Sequence, residues 1–105
     1  MEQVDKNKQM FYYLVSTFEI AALQQMGKIK NPLTDSIDRN LDQAQFSIDI
    51  IDMLAAKTGE NLDSEEKRFI DNVLAQLKLN FIDELEKDKK TEEVKQEKET
   101  GEKEK

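Results

Sequence analysis

Asp42, Asp49 and Asp52, with Asp38 just upstream, are spaced so that one side of a helix would carry them together. Carboxylates gathered in this way can hold Mg²⁺ or Ca²⁺. They can also shift one another's pKa values far enough for acid–base work. The acidic alternation around a glycine that marks a calcium loop is absent, and a single helix face converges poorly on a hard cation. A solvated polar strip, or one that meets Lys or Arg from another helix, accounts for the same residues more simply.

The other polar residues offer no second chemistry. Arg39 and Arg68 are the only arginines. Each can grip a carboxylate through two N–H groups, and a structural ion pair is the expected role. Lys57-Thr58-Gly59 has the look of a phosphate-loop ending. However, the upstream glycine is missing, and the tripeptide ends a helix where a phosphate loop starts one. Without His, Cys or a glycine-framed serine, no nucleophile–base pair can be assembled. Tyr12 and Tyr13 read as packing or interface residues. The chain is therefore expected not to be an enzyme, and no catalytic residue, metal or cofactor is assigned. The alternative that keeps the aspartates in use is a regulator that binds a small ligand or divalent cation on that strip.

The elements that carry these residues follow from apolar periodicity. From Gln9 to Met26, the residues Phe11, Leu14, Val15, Phe18, Ala21, Ala22 and Met26 form a broad apolar band, with Tyr12, Ile20 and Leu23 outside its centre. Gly27 stops this first helix. Lys28 to Ile37 holds the only proline, Pro32, and reads as a loop with Asn31 extended. A second helix begins between Ser36 and Asn40 and runs from about Leu41 to Thr58. Leu41, Ala44, Ile48, Ile51 and Ala55 form one stripe, and Phe46, Ile50, Met53 and Leu54 form another roughly opposite. Lys57 in its last turn suits the helix dipole, and Gly59 is expected to close the helix in the left-handed conformation. Glu60 to Leu62, with Asn61 between them, link it to a third helix. Asp63 is the expected N-cap and Glu66 its reciprocal capping-box partner. The third helix runs from Ser64 to about Leu85 on Ile70, Val73, Leu74, Leu77, Phe81 and Leu85. The predicted fold is all-α: a helical hairpin plus an N-terminal helix.

Three segments result: a flexible N-terminus over 1–8, a three-helix domain over 9–85 and a Lys/Glu-rich tail over 86–105. In the tail Val94 is the only sizeable apolar residue, too little burial to offset ordering entropy. A disordered extension or a solvated charged helix is expected there. The foldable core is small, and with no Cys or His to bring disulfides or zinc, oligomerisation is the remaining source of burial. Apolar residues around most of the first two helices agree with a helical-bundle homo-oligomer, a dimer first. Phe11, Tyr12, Val15, Phe18, Leu23, Phe46, Ile50 and Met53 are the candidate interface. Net charge is −7 and no basic stripe is visible, which argues against direct nucleic-acid binding. The opening MEQVDKNK lacks the apolar core of a signal peptide, and no apolar run is long enough for a bilayer. A soluble cytoplasmic protein with an unidentified protein partner is expected.

The run Ala44 … Ile48-Asp49 … Met53-Leu54 … Lys57-Thr58 … Asn61-Leu62 … Glu65-Glu66, followed by Leu74 and Leu77-Lys78, resembles a family of small bacterial proteins catalogued as domain of unknown function 1844. Ser16, Ala21 or Ala22, Gly27 and Pro32 fit the N-terminal part of its pattern, so the resemblance covers nearly all of Met10 to Leu85. Two positions depart from it. The glycine comes one place early, in Thr58-Gly59-Glu60-Asn61, and Lys78 stands where arginine is usual. The resemblance implies a bacterial, cytosolic, all-helical protein and brings no established activity, cofactor or catalytic residue. The expected function is a non-enzymatic interaction or assembly module.

Overall fold

The computed structural model describes residues 3–103, with side chains for residues 5–93. Three α-helices account for most of this span: α1 over Gln3–Met26, α2 over Leu41–Thr58 and α3 over Ser64–Lys103. A short 3-10 turn, Gly59–Asn61, joins α2 to α3. Each helix packs on both of the others, so the three enclose one core. Val15, Ala22 and Met26 enter it from α1, Ala44, Ile48 and Ile51 from α2, and Ile70, Val73, Leu74 and Leu77 from α3. Burying one of the larger of these side chains contributes about 1.5–3 kcal/mol. Phe11, Phe18, Leu23, Leu41, Leu54, Ala55, Leu62, Phe69 and Phe81 close the core's edges.

The ends of the helices follow local chemistry. Gly27 adopts φ +85°. Its N–H donates to Gln24 O at 3.0 Å while that of Lys28 donates to Leu23 O at 2.9 Å, the paired bonds of a Schellman ending. Asn40 caps α2, its side-chain oxygen accepting from Gln43 N at 3.1 Å, so the helix takes the later of its two possible starts. Asp63 and Glu66 form the expected box: Asp63 accepts from Glu66 N at 2.8 Å, and Glu66 accepts from Asp63 N at 2.9 Å.

Gly59 corrects the expectation of a left-handed cap. It lies at φ −43°, ψ −50°, right-handed, because the chain tightens into the 3-10 turn and does not reverse at that residue. Lys57 remains in the last turn of α2, and the Thr58 hydroxyl donates to Leu54 O at 2.6 Å. Asn61, at the end of the 3-10 turn, is exposed.

Both outer boundaries also differ from the sequence expectation. The first helix starts at Gln3, not Gln9, and Lys8 ties it to the start of α3 through Asp63 and Glu65, both at 2.9 Å. Met1 and Glu2 of the expected flexible terminus lie outside the described residues. The third helix continues past Leu85 to Lys103, a charged rod that is exposed or half-buried from Leu85 to Glu93. Among the described residues, from Lys89 to Glu93 the helix has no side-chain tie to another element, and a charged helix without tertiary packing frays readily. The side chains of 94–103, and residues 104 and 105 altogether, lie outside the described residues, so the expected disorder of the tail falls largely beyond them.

Candidate functional site

The aspartate strip comes apart as a site. Asp52 pairs with Lys78 of α3 at 3.1 Å, and Asp49 accepts from the Gln45 amide at 2.8 Å on its own helix. Asp38 accepts from the hydroxyls of Ser36 and Thr34 in the loop. Asp42 stands in the first turn of α2, where the helix dipole favours a negative charge. Among the described residues, no group of three or more His, Cys, Asp or Glu is arranged to hold a metal ion. These carboxylates answer to neighbouring cations, hydroxyls and amides, as a polar strip does.

The strongest electrostatics lie where the α1–α2 loop crosses α3. Glu84 is almost fully buried. It accepts from Lys28 at 2.8 Å, from Arg39 Nε at 3.2 Å and from Lys87 at 2.9 Å. Lys28 also reaches Asp83 at 3.0 Å, and Arg39 reaches Asp88 at 2.8 Å. The hydrogen bond from Lys28 holds the Glu84 carboxyl down to about 2, against the opposing effect of its own burial, with Lys87 adding to the depression. The same contacts push Lys28 up and Asp83 down. Asp88 does most to raise Arg39. Arg39 thus takes the structural role expected of it, whereas exposed Arg68 makes no ion pair among the described residues. Every cation in this cluster is committed to a carboxylate, so the cluster fastens the loop and leaves no free charge for a substrate.

A second polar contact joins α1 to α2. With its amide nitrogen turned toward α2, Gln25 donates to Gln43 O at 3.0 Å, Ser47 Oγ at 2.7 Å and Ala21 O at 3.2 Å. Ser47 is buried and thereby satisfied.

The candidate interface residues divide. Val15 is fully buried in the chain's own core, and Phe11, Phe18 and Leu23 pack against it. Tyr12 meets the edge of Phe69, ring centres 4.6 Å apart. These five α1 residues therefore face inward, because the widest part of the α1 band is what α2 and α3 cover. On α2, Phe46 is 66% exposed and Met53 46%, with Ile50 half-buried between them. Phe46, Ile50 and Met53 face away from the core, as their phase requires, whereas Leu54, expected in the same stripe, packs against the core's edge because its phase lies nearer Ile51 and Ala55. The sequence reading missed the outward face of α1, where Met10, Tyr13, Leu14 and Ile20 are exposed, Tyr13 by 77%. The signal was present in the spacing: Tyr13 and Ile20 are seven apart, and Met10 and Leu14 four apart, one or two turns along a single face. A groove of ≈ 380 Å³ between α2 and α3 is lined by Gln45, Ile48, Lys78, Phe81, Ile82 and Leu85.

The model of the family described as a domain of unknown function (DUF1844) matches residues 8–83. The chain belongs to this family. The DUF1844 match spans the three packed helices up to Asp83 and leaves out most of the rod. No curated protein and no solved structure matches the chain. Among the described residues of this DUF1844 protein, no helix is long and apolar enough to cross a membrane.

Proposed function

We propose that this DUF1844 protein is a non-enzymatic interaction module of the bacterial cytoplasm, working as a homo-oligomer that presents helical surface to a protein partner. The observation that carries the reading is the outward face of α2. Phe46, Ile50 and Met53 stand opposite the core, and Phe46 keeps two thirds of its surface in water. A large exposed aromatic and a methionine beside a half-buried isoleucine have the composition of an interface centre. Asp42 and Asp49 flank them on the same helix. The partner that fits is an apolar helical stripe edged with Lys or Arg, packed along α2 helix against helix. The aspartates then steer the encounter, and the apolar residues supply the affinity.

The test is capture from host lysate, treated with nuclease, on the tagged full-length protein and on its Phe46→Ser/Met53→Ser variant. The expected result is one protein retained in stoichiometric amount by the wild type and lost from the variant, with the helical circular dichroism of both unchanged. Identical retention by the two proteins, or retention of nothing, would sink the reading.

A further inference from the structure

A second face of the molecule has different chemistry. Between Gln9 and Gly27 the only charged residue is Glu19, and it lies half-buried on the side of α1 turned toward the bundle. From Met10 to Gln24 the outward side of α1 therefore carries no charge, and Lys6 stands one turn before it. That side consists of Met10, Tyr13, Leu14, Thr17, Ile20, Ala21 and Gln24, spread over about four turns. Met10, Tyr13, Leu14 and Ile20 each leave 40% or more of their surface exposed, a contribution toward the roughly 800 Å² per partner of a standard interface.

We propose that this face binds a second copy of the chain, α1 against α1 in antiparallel, with a two-fold axis passing Thr17. The proposal rests on the interaction-module reading and names the partner of one of its faces. Three observations select a second copy as the occupant.

The first is charge. The chain carries −7, so most approaches of two copies oppose like charges. A neutral face lets them meet without that repulsion, whereas the α2 face has Asp42 and Asp49 at its edge.

The second is spacing. The face is nearly symmetric about Thr17, so a two-fold there sets Met10 against Gln24 of the other copy. It also sets Tyr13 against Ile20 and Leu14 against Ala21. An isologous interface needs a patch of this kind, complementary to itself. The pairing of larger with smaller side chains lets the two helices interdigitate.

The third is the residue on the axis. The Thr17 hydroxyl already donates to Tyr13 O at 2.8 Å within its own helix. Burying Thr17 against its copy therefore leaves no donor unpaired, and its small size allows the helices close approach there.

The test uses the full chain. Sedimentation equilibrium from micromolar to millimolar concentration should give twice the 12.2 kDa chain mass, falling to the single mass in Tyr13→Glu with helical circular dichroism retained. The chain has no cysteine, so single replacements report contacts without background. Thr17→Cys should oxidise to a covalent dimer, since cysteines on the axis meet within the Cα separation of a disulfide. Asn72→Cys, exposed on α3, should not. The cross-link decides the matter even if Tyr13→Glu fails to fold. A wild-type chain that stays at 12.2 kDa throughout, or equal cross-linking at 17 and 72, overturns the dimer. Partner capture through Phe46 is read separately. A monomer that still captures its partner sinks the dimer and the homo-oligomer part of the reading but leaves partner capture standing, and a dimer indifferent to Phe46→Ser/Met53→Ser sinks only the partner reading.

Discussion

Gly27 and Gly59 each follow the last turn of a helix, yet only one of them needs to be glycine. At Gly27 the backbone sits at φ +85°, and an added Cβ would come within 3.2 Å of Arg39 Cδ. That side chain cannot easily give way, because its guanidinium is held by Glu84 and Asp88. Gly27→Ala is therefore expected to destabilise by about 1–2 kcal/mol, combining backbone strain with the crowded contact. At Gly59 the backbone is right-handed, and nothing lies within 4 Å of an added Cβ. Gly59→Ala should be neutral or stabilising by up to about 1 kcal/mol, since alanine has less freedom to lose on folding. Urea denaturation of the two variants checks both. Equal losses would mean that the conformation of one of these turns is different.

At the scale of elements, the start of α3 and the end of its packed part are both tied to other parts of the fold, by different means. At the start, Asp63 serves twice, as cap for Glu66 N and as acceptor for Lys8 from α1. Asp63→Ala should lower the melting temperature through loss of the N-cap. The exposed Lys8 pair adds little to that, being screened by solvent. Asp63→Asn keeps the cap, so it should recover most of the loss in thermal unfolding at neutral pH. Toward the end of the packed part, the core-facing stripe of α3 runs Ile70, Val73, Leu74, Leu77 and Phe81, and then continues in phase as Glu84 and Asp88. The stripe turns acidic where its cover changes from two helices to the α1–α2 loop. The loop answers with Lys28 and Arg39. The loop is thus held by paired charges at a place where it has few apolar residues facing inward.

For the whole molecule, these clamps set the pH range of stability. Glu84 is held at about 2 in the folded chain, against an ordinary 4.5, and Asp63 and Asp83 are shifted the same way. A carboxyl depressed by folding contributes fully above its unfolded pKa and loses that contribution as pH falls toward its folded one. Lys8 and Lys28 are raised above 10.5, so their contribution is present below that value and is lost as pH rises through their folded pKa. The melting temperature should therefore be flat through neutral pH and fall below about pH 4.5 as the carboxylates begin to protonate. Glu84→Gln should lower the melting temperature at pH 7 and flatten the acid fall, because one of the groups that takes up a proton on unfolding is gone. An acid limb as steep in the variant as in the wild type would show that Glu84 does not set it.

What the amino-acid sequence determined by itself is local. The three helices, the spans of α2 and the packed part of α3, the stop at Gly27 and the Asp63–Glu66 box all depend on residues three to five apart. Such interactions operate whatever the rest of the chain does. The outward stripe of α2 belongs with them, since Phe46, Ile50 and Met53 lie opposite the core stripe by helical phase alone. The tertiary structure decided what depends on which surfaces meet. Helix α1 is apolar around most of its girth, so its pattern could not choose between facing Val15 inward and facing Tyr13 inward; contact with α2 and α3 chose. Arg39 needed a carboxylate, and the one it found, Glu84, lies 45 residues away, beyond the reach of any helical period. The aspartates of α2 share a sequence spacing but not a fate, because Lys78 reaches Asp52 alone among them. Local backbone chemistry is written in short-range spacing, whereas pairing across the bundle is settled only when side chains compete for the same buried space and the same counter-charge.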